Sequence, residues 1–261
     1  MAIPGKNSGT VATIKMEKIQ WQIASVKAIV QETPRVKTFT LQLPTWISHL
    51  PGQHYDLRLT AEDGYQAERS YSIASPPEQT GEIDLTIELI DDGEVSSYLY
   101  EGIAVGDSLE VRGPIGGYFV WKDTMAGDPL LLIAGGSGVV PLMAMLRHRA
   151  RIGATNPTVL LFSVRTADDV IYQQELEHLA AQGTNFQLVL TYTRQSPSGW
   201  TGYQRRIDKE MLTNVLTSLD SQPNCFVCGP TLLVEQVANT LVDVGLPFER
   251  VRTERFGPTG T

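Results

Sequence analysis

The sequence predicts two domains: an N-terminal six-stranded antiparallel Greek-key β-barrel, followed by an α/β layer built on a parallel sheet. Three observations lead there. The 261-residue length suits two cores rather than one. From Trp21 to Trp121 apolar and polar residues alternate with a period of two, in short runs separated by turn residues. After Lys122-Asp123-Thr124-Met125-Ala126-Gly127-Asp128 the pattern changes to brief, wholly apolar runs that alternate with helical stretches.

In chain order, residues 1–16 read as a flexible tail, 17–123 as the barrel domain and 128–261 as the α/β domain. The predicted barrel strands are Ile23–Val30, Val36–Leu43, His54–Thr60, Ala67–Ala74, Ile83–Leu89 and Ser108–Val111. Thr33-Pro34, Pro51-Gly52, Asp63-Gly64, Pro76-Pro77 and Gly113-Pro114 punctuate them, and Glu94–Tyr100 reads as a short helix. In the second half, Leu130–Ala134, Thr158–Val164, Phe186–Thr191, Cys225–Cys228 and Val251–Glu254 are the strands. Leu142–Arg151, Asp168–Ala181, Asp208–Leu219 and Leu232–Val244 are the helices.

Composition narrows the function. A net charge of −8 speaks against nucleic-acid binding, which needs a basic surface to displace counterions. Two cysteines cannot build a disulfide framework or a four-thiolate iron–sulfur cluster, and they suit reduced thiols in the cytoplasm. The uncharged stretch Pro129–Leu146 approaches membrane-spanning length, but Gly135, Gly136, Gly138 and Pro141 break it into a strand, a turn and a packed helix. No membrane insertion is expected. The start, Met1 to Thr13, lacks the basic and apolar regions of a signal peptide.

Three segments carry chemistry. In Gly135-Gly136-Ser137-Gly138-Val139-Val140-Pro141 small residues follow an apolar strand and precede a helix, the setting in which backbone amides receive a pyrophosphate. Proline stands where the usual fingerprint has a third glycine, and a purely structural tight turn remains an alternative. In Arg69-Ser70-Tyr71-Ser72, Arg69 and Tyr71 share one strand face and Ser70 and Ser72 the other. The set offers a cation for phosphate, a ring for stacking and a hydroxyl for a ring nitrogen; an ordinary half-polar strand is the other reading. Gly93-Glu94-Val95-Ser96-Ser97 opens a helix and supplies a second phosphate-sized nest.

Cys225 and Cys228 have redox or zinc spacing, but three residues apart on a strand they face opposite ways, and no second pair exists for zinc. Cys228, in Cys228-Gly229-Pro230, lies at the carboxyl end of its strand, where α/β folds place their sites. Arg165 follows the second parallel strand, where a guanidinium matches a ribose 2′-phosphate; Arg194, Arg205 and Arg206 are further candidates, and each reads equally as a solvated charge. Asp168 and Asp169 fit a helix cap after Thr166. His49, His54, His148 and His178 lack ligand spacing, so no metal site is expected. Arg147 to Arg151 reads as a solvated helix end, with docking of an acidic partner as the alternative.

With these segments in this order, the chain resembles the ferredoxin–NADP reductase family over Trp21 to Gly257. Gly113-Pro114-Ile115-Gly116 is similar to the end of that family's barrel, and Glu254-Arg255-Phe256-Gly257 to its terminal segment. The resemblance implies a flavoprotein with an FAD-binding barrel and a Rossmann-like NAD(P)-binding domain. It assigns Arg69 and the Gly93, Val95, Ser96, Ser97 turn to flavin phosphates, Tyr71 and Ser72 (with Ser70 in the motif) to the isoalloxazine, and Phe256 to covering the flavin. Gly136, Ser137, Gly138, Pro141, Gly229 and Pro230 shape the nicotinamide side, with Cys228 abutting the reactive carbon and Glu254 holding that geometry. Glu88 stands where many relatives carry a basic residue.

The expected reaction is hydride transfer from NAD(P)H, with NADPH favoured through Arg165 and Arg194, to FAD. Single electrons then pass to a separate iron–sulfur protein such as a ferredoxin or an oxygenase component. The chain ends at Thr261 without an iron–sulfur or haem domain, which is the ground for a separate acceptor. Alternatives are a flavin or quinone reductase with diffusible acceptors, and a non-catalytic redox-sensing flavoprotein subunit.

Overall fold

The protein is represented by a computed structural model that describes residues 19–183 and 185–257; the expected tail at 1–16 lies outside them. Six strands form the first sheet: β1 (Gln22–Thr33), β2 (Val36–Gln42), β3 (His54–Thr60), β4 (Gln66–Ser72), β5 (Glu82–Glu88) and β6 (Ser108–Ile115). Their spatial order is β4-β3-β6-β1-β2-β5, every pairing antiparallel. An antiparallel bridge between Ile73 and Leu85, with Ala74 N–H donating to Asp84 O at 2.8 Å, joins the two outer strands and closes the barrel. Closure removes both free edges. Alternation drives it: Phe39, Leu41, Tyr55, Leu57, Ile83, Leu85 and Val111 point inward and are buried. Helix α1 (Glu94–Gly102) packs on β4 and β5 through Val95 and Leu99.

The second sheet is parallel, in the order β11-β10-β7-β8-β9, with β7 (Leu130–Gly135), β8 (Thr158–Val164), β9 (Phe186–Tyr192), β10 (Asn224–Pro230) and β11 (Val251–Phe256). All of β7 and β8 is buried because both faces are covered. Leu130, Leu132 and Ala134 face one core with α2 (Val139–Arg151) and α3 (Gln173–Ala181). Leu131 and Ile133 face another with α4 (Lys209–Thr217) and α5 (Thr231–Asp243). The strand order reverses between β7 and β10, so a crevice opens at their carboxyl ends.

The predicted helix Asp168–Ala181 divides in two. A 3-10 turn at Ala167–Asp169 carries the expected Thr166–Asp169 capping box, but Tyr172 then adopts φ 60°, and the α-helix starts only at Gln173. Burial of the Tyr172 ring overrides helical continuation.

The barrel docks on the α2/α3 face of the parallel sheet: Val36, Ala74, Phe119 and Trp121 belong to the same apolar cluster as Leu132, Val139 and Phe226. Phe119 meets Phe226 edge-on, with ring centroids 5.3 Å apart. The solvated helix end expected at Arg147–Arg151 is instead turned inward over Arg147, His148 and Arg149, with Ala150 and Arg151 exposed. Arg147 donates to Ala74 O on the barrel at 2.9 Å and forks onto Glu175 at 2.9 and 2.6 Å. Each ring nitrogen of buried His148 faces a carboxylate oxygen, Glu78 at 2.7 Å and Asp123 at 2.8 Å. Buried Arg149 bonds Asn156. Arg147 and Arg149 are therefore taken up inside the protein and not offered to an acidic partner. A polar thread completes the seam: Tyr172 donates to Thr86, which shares a hydrogen bond with Thr38, and Thr38 donates to Glu32.

Removing Arg147 leaves Ala74 O and Glu175 without their donor, so Arg147→Met should cost about 1–3 kcal/mol. The expected readouts are a lower melting temperature and faster proteolysis between residues 122 and 128; an unchanged melting temperature would remove Arg147 from the seam.

Candidate functional site between the barrel and the parallel sheet

Two of the three predicted segments meet at the seam, and the third leads towards it. Gly138 lies flat on β10: a Cβ built there would sit 2.1 Å from Cys228 O. Gly229, with φ +153°, lies on Gly135, where a Cβ would approach the Gly135 amide nitrogen to 3.0 Å. Only glycine permits both approaches, so the glycine turn and the Cys228-Gly229-Pro230 end are pressed together. The barrel segment arrives through β4: Ser72 leads through Ile73 to Ala74, and Ala74 shares an apolar cluster with Cys228, against which Phe256 also packs.

On the barrel side, Arg69 is exposed and donates to Glu68 O at 2.7 Å, with no carboxylate partner among the described residues. Tyr71 is half-buried, and burial pushes its phenol up to about 12, so the ring stays neutral. Ser72 is buried beside His54, its cross-strand neighbour. The N-terminus of α1 has Gly93 as cap with no side-chain capping bond, which leaves first-turn amides open, and Ser97 lies half-exposed beside them. A guanidinium without a carboxylate partner among the described residues and an uncapped helix end, on two elements that pack together, fit a pyrophosphate-bearing flavin.

Three predicted contacts come out differently. The Ser70 hydroxyl is committed to Asp56 Oδ1 at 2.7 Å. The Ser96 hydroxyl donates to Gly93 O and accepts from Ile90 N–H, so it closes the turn instead of facing a phosphate. The Val95 side chain belongs to the barrel core, which leaves only its amide. Glu88 pairs with Val36 at the end of β5.

On the dinucleotide side, a 3-10 turn at Gly136–Gly138 runs into α2, whose cap Gly138 also lacks a side-chain bond. Gly136 has φ +53° with open space where a Cβ would point, and Ser137 is half-exposed. Pro141 is buried in the first turn of α2, where its missing N–H costs nothing. Pro230 is exposed as the cap of α5. The Arg165 carbonyl accepts from Arg194 and Gln195 amides at 3.0 and 3.1 Å, so Arg165 and Arg194 are neighbours at the carboxyl ends of β8 and β9. Both are exposed and neither is ion-paired among the described residues. Arg205 is otherwise engaged, by Asp208 at 2.5 Å and Glu210 at 3.1 Å, which leaves Arg206.

Cys225 and Cys228 are free, buried and in opposite cores. Burial and the neighbouring Glu254 push the Cys228 thiol up, so it is a neutral, polarizable wall and not a nucleophile. Glu254 pairs in register with Cys228; burial raises its carboxyl to about 7, and its Oε2 has no hydrogen-bond partner among the described residues. A second buried oxygen without a partner among the described residues is Thr231 Oγ1, at the first residue of α5. Sequence reading missed it, although a threonine opening the helix after Gly229-Pro230 is a recognisable signal. Two such polar atoms, one beside Cys228 and one at the start of the helix that follows it, fit a ligand that carries hydrogen-bonding groups, as the amide of a nicotinamide does.

Two nucleotide-receiving domains that meet at the switch point of a parallel sheet define a dinucleotide- and flavin-binding oxidoreductase. Residues 23–120 match the model described as an oxidoreductase FAD-binding domain, and residues 132–239 the one described as an oxidoreductase NAD-binding domain. The chain is 34% identical over 209 residues to ferredoxin–NADP reductase B of Sorangium cellulosum, spanning 78% of this chain and 84% of that one. It is 33% identical over 235 residues to the glycine betaine monooxygenase reductase subunit of Chromohalobacter salexigens, spanning 88% of this chain and 63% of that protein. The flavohaem-like FAD/NAD-binding domain of nitric oxide dioxygenase from Vibrio cholerae has the same fold, with TM-score 0.79, 24% identity and coverage of 90% and 98%. The chain belongs to the ferredoxin–NADP reductase family of FAD- and NAD-binding reductases. It spans about 63% of the length of the betaine monooxygenase reductase subunits. No helix among the described residues is long and apolar enough to cross a membrane.

The Glu254 shift makes stability pH-dependent. Its folded value of about 7 lies above the ordinary 4.5, so between these values the native state keeps a proton that the unfolded chain has lost. Stability is highest below the ordinary value and falls as pH rises through the folded one, by roughly 3 kcal/mol at most. Glu254→Gln should flatten that part of the profile, measured as melting temperature against pH; an unchanged slope would mean another group sets it.

Proposed function

We propose that the protein oxidises NADPH and passes the electrons through FAD to an iron–sulfur protein, in the cytoplasm. FAD, when bound, accepts a hydride and releases two electrons singly. The observation that carries this reading is the contact of Gly138 with the Cys228 carbonyl, at a seam that the Ser72 strand also reaches.

Each residue then has a task. Arg69 and the amides from Gly93 to Ser97 hold the flavin pyrophosphate, Tyr71 packs on the isoalloxazine, and Ser72 donates to its ring nitrogen. The turn from Gly136 to Gly138 and the start of α2 hold the dinucleotide pyrophosphate. Cys228, Gly229 and Pro230 form the wall behind the nicotinamide, and the Glu254 carboxyl and Thr231 hydroxyl take its amide. Phe256 shields the flavin and swings aside for the nicotinamide. Ring placement of this kind is where the protein contributes most to rate. Arg165 and Arg194, side by side and unpaired among the described residues, supply a fork for a 2′-phosphate, which favours NADPH. The relatives' names support the acceptor: one is the reductase subunit of a monooxygenase and one a ferredoxin–NADP reductase. Two buried free thiols suit a reducing compartment.

Steady-state assays with a ferredoxin, compared with free flavin or quinone, test the acceptor; faster turnover with free flavin would overturn it. Arg165→Ala should weaken NADPH by about 10- to 100-fold while sparing NADH. Equal losses for both would exclude Arg165 as the reader. Cys228→Ser should slow flavin reduction in a single turnover with flavin retained, and an unchanged rate would release Cys228 from its role.

A further inference from the structure

A cavity of about 650 Å³ opens at the opposite end of the parallel sheet from the glycine turn, beside the amino ends of β10 and β11. Both domains and the connecting segment build it: Tyr118 from the barrel side, Lys122 from the connection, and Asn224, Phe248, Glu249 and Arg252 from the parallel-sheet side. Its volume is that of a small-molecule site.

The decisive feature is Arg252. Its guanidinium is half-buried, with Nη1 fully covered, and among the described residues it makes no hydrogen bond and no ion pair. Among the described residues it meets the ring of Phe226, 5.4 Å from the guanidinium carbon to the centroid. Buried cations ordinarily have an acceptor; Nη1 is sealed off by the protein itself, and the cavity that Arg252 lines is where the rest of the guanidinium can meet one. The charge around it is uneven. Asp128 is taken by Arg250 at 3.1 Å and by Asn224 at 3.1 Å. That leaves Arg252 and Lys122 as cations against Glu249, which is exposed. The balance suits one negative charge better than two. A planar fork matches a carboxylate, and the exposed rings of Tyr118 and Phe248 give flat walls for an apolar body. We propose that this cavity is a binding site for a small aromatic carboxylate, separate from the dinucleotide site.

The site is placed to influence the redox centre. Arg252 and Glu254 lie two residues apart on one face of β11, about 7 Å along the strand. Tyr118 precedes Phe119, which packs on Phe226, and donates to Val251 O at 3.3 Å.

Calorimetric titration of the FAD-loaded protein with benzoate tests this without reference to turnover. A single saturable site with Kd of about 1 mM or tighter is expected. Neutral benzamide should bind at least ten-fold more weakly, and Arg252→Gln should weaken benzoate by at least ten-fold. Phe248→Ala, at a residue 76% exposed and so tolerant of change, should also weaken benzoate several-fold. Flavin absorbance and melting temperature report folding of each variant. If Arg252→Gln fails to fold, Arg252→Lys, which keeps charge but not the fork, should show an intermediate loss. Absence of saturable benzoate binding, equal binding of benzamide, or benzoate affinity indifferent to Arg252 and Phe248 would each overturn the proposal.

Discussion

Everything in this structure depends on the barrel being held at one fixed position against the α2/α3 face of the parallel sheet. Two stacked rings exchange a hydride only when their separation is set to a fraction of an ångström, and neither domain alone can set it. Apolar contact between Phe119 and Phe226 and between Ala74 and the Cys228 cluster brings the surfaces together, but such contact is not directional. Direction comes from Arg147 on Ala74 O, from His148 between Glu78 and Asp123, and from the Tyr172-Thr86-Thr38-Glu32 thread. Helix α2 therefore has two functional ends: its first turn faces the proposed pyrophosphate site, and its last turn clamps the barrel.

Burial shapes the chemistry on the dinucleotide side. Glycines at 138 and 229 let two strand ends and a turn meet backbone to backbone, leaving Cys228 fully covered. The same dry surroundings raise both the Cys228 thiol and the Glu254 carboxyl. A neutral thiol and an acid that keeps its proton to higher pH than usual present a wall of reduced charge to a ring that must gain or lose a hydride, which fits the proposed role of this wall.

Much of the fold was legible in the sequence because it rests on local pattern. Alternation located all six barrel strands, and short apolar-rich runs marked the parallel sheet, with the bounds of Thr158–Val164 matched and those of the other four strands one or two residues short at their ends. The capping box at Thr166 was equally local. What stayed hidden depends on partners distant in sequence. Arg147 and His148 read as a solvated end because Ala74, Glu78 and Glu175 lie about 25 to 75 residues away, and only the fold brings them together. Tyr172 breaks its helix for a tertiary reason, burial of its ring at the domain seam. Ser70 and Ser96 matched a motif, yet Asp56 and the Gly93 turn take their hydroxyls. Arg252 carried no motif at all; its interest lies in lacking an acceptor among the described residues, which only side-chain packing reveals.

The most direct test of the account is anaerobic mixing of the purified, flavin-loaded protein with NADPH while visible absorbance is followed in a stopped-flow instrument. Domains docked as described should bleach the bound flavin in a single fast phase that saturates with NADPH. A protein that takes up no flavin on reconstitution, or whose bound flavin stays oxidised in excess NADPH and in excess NADH alike, would contradict it.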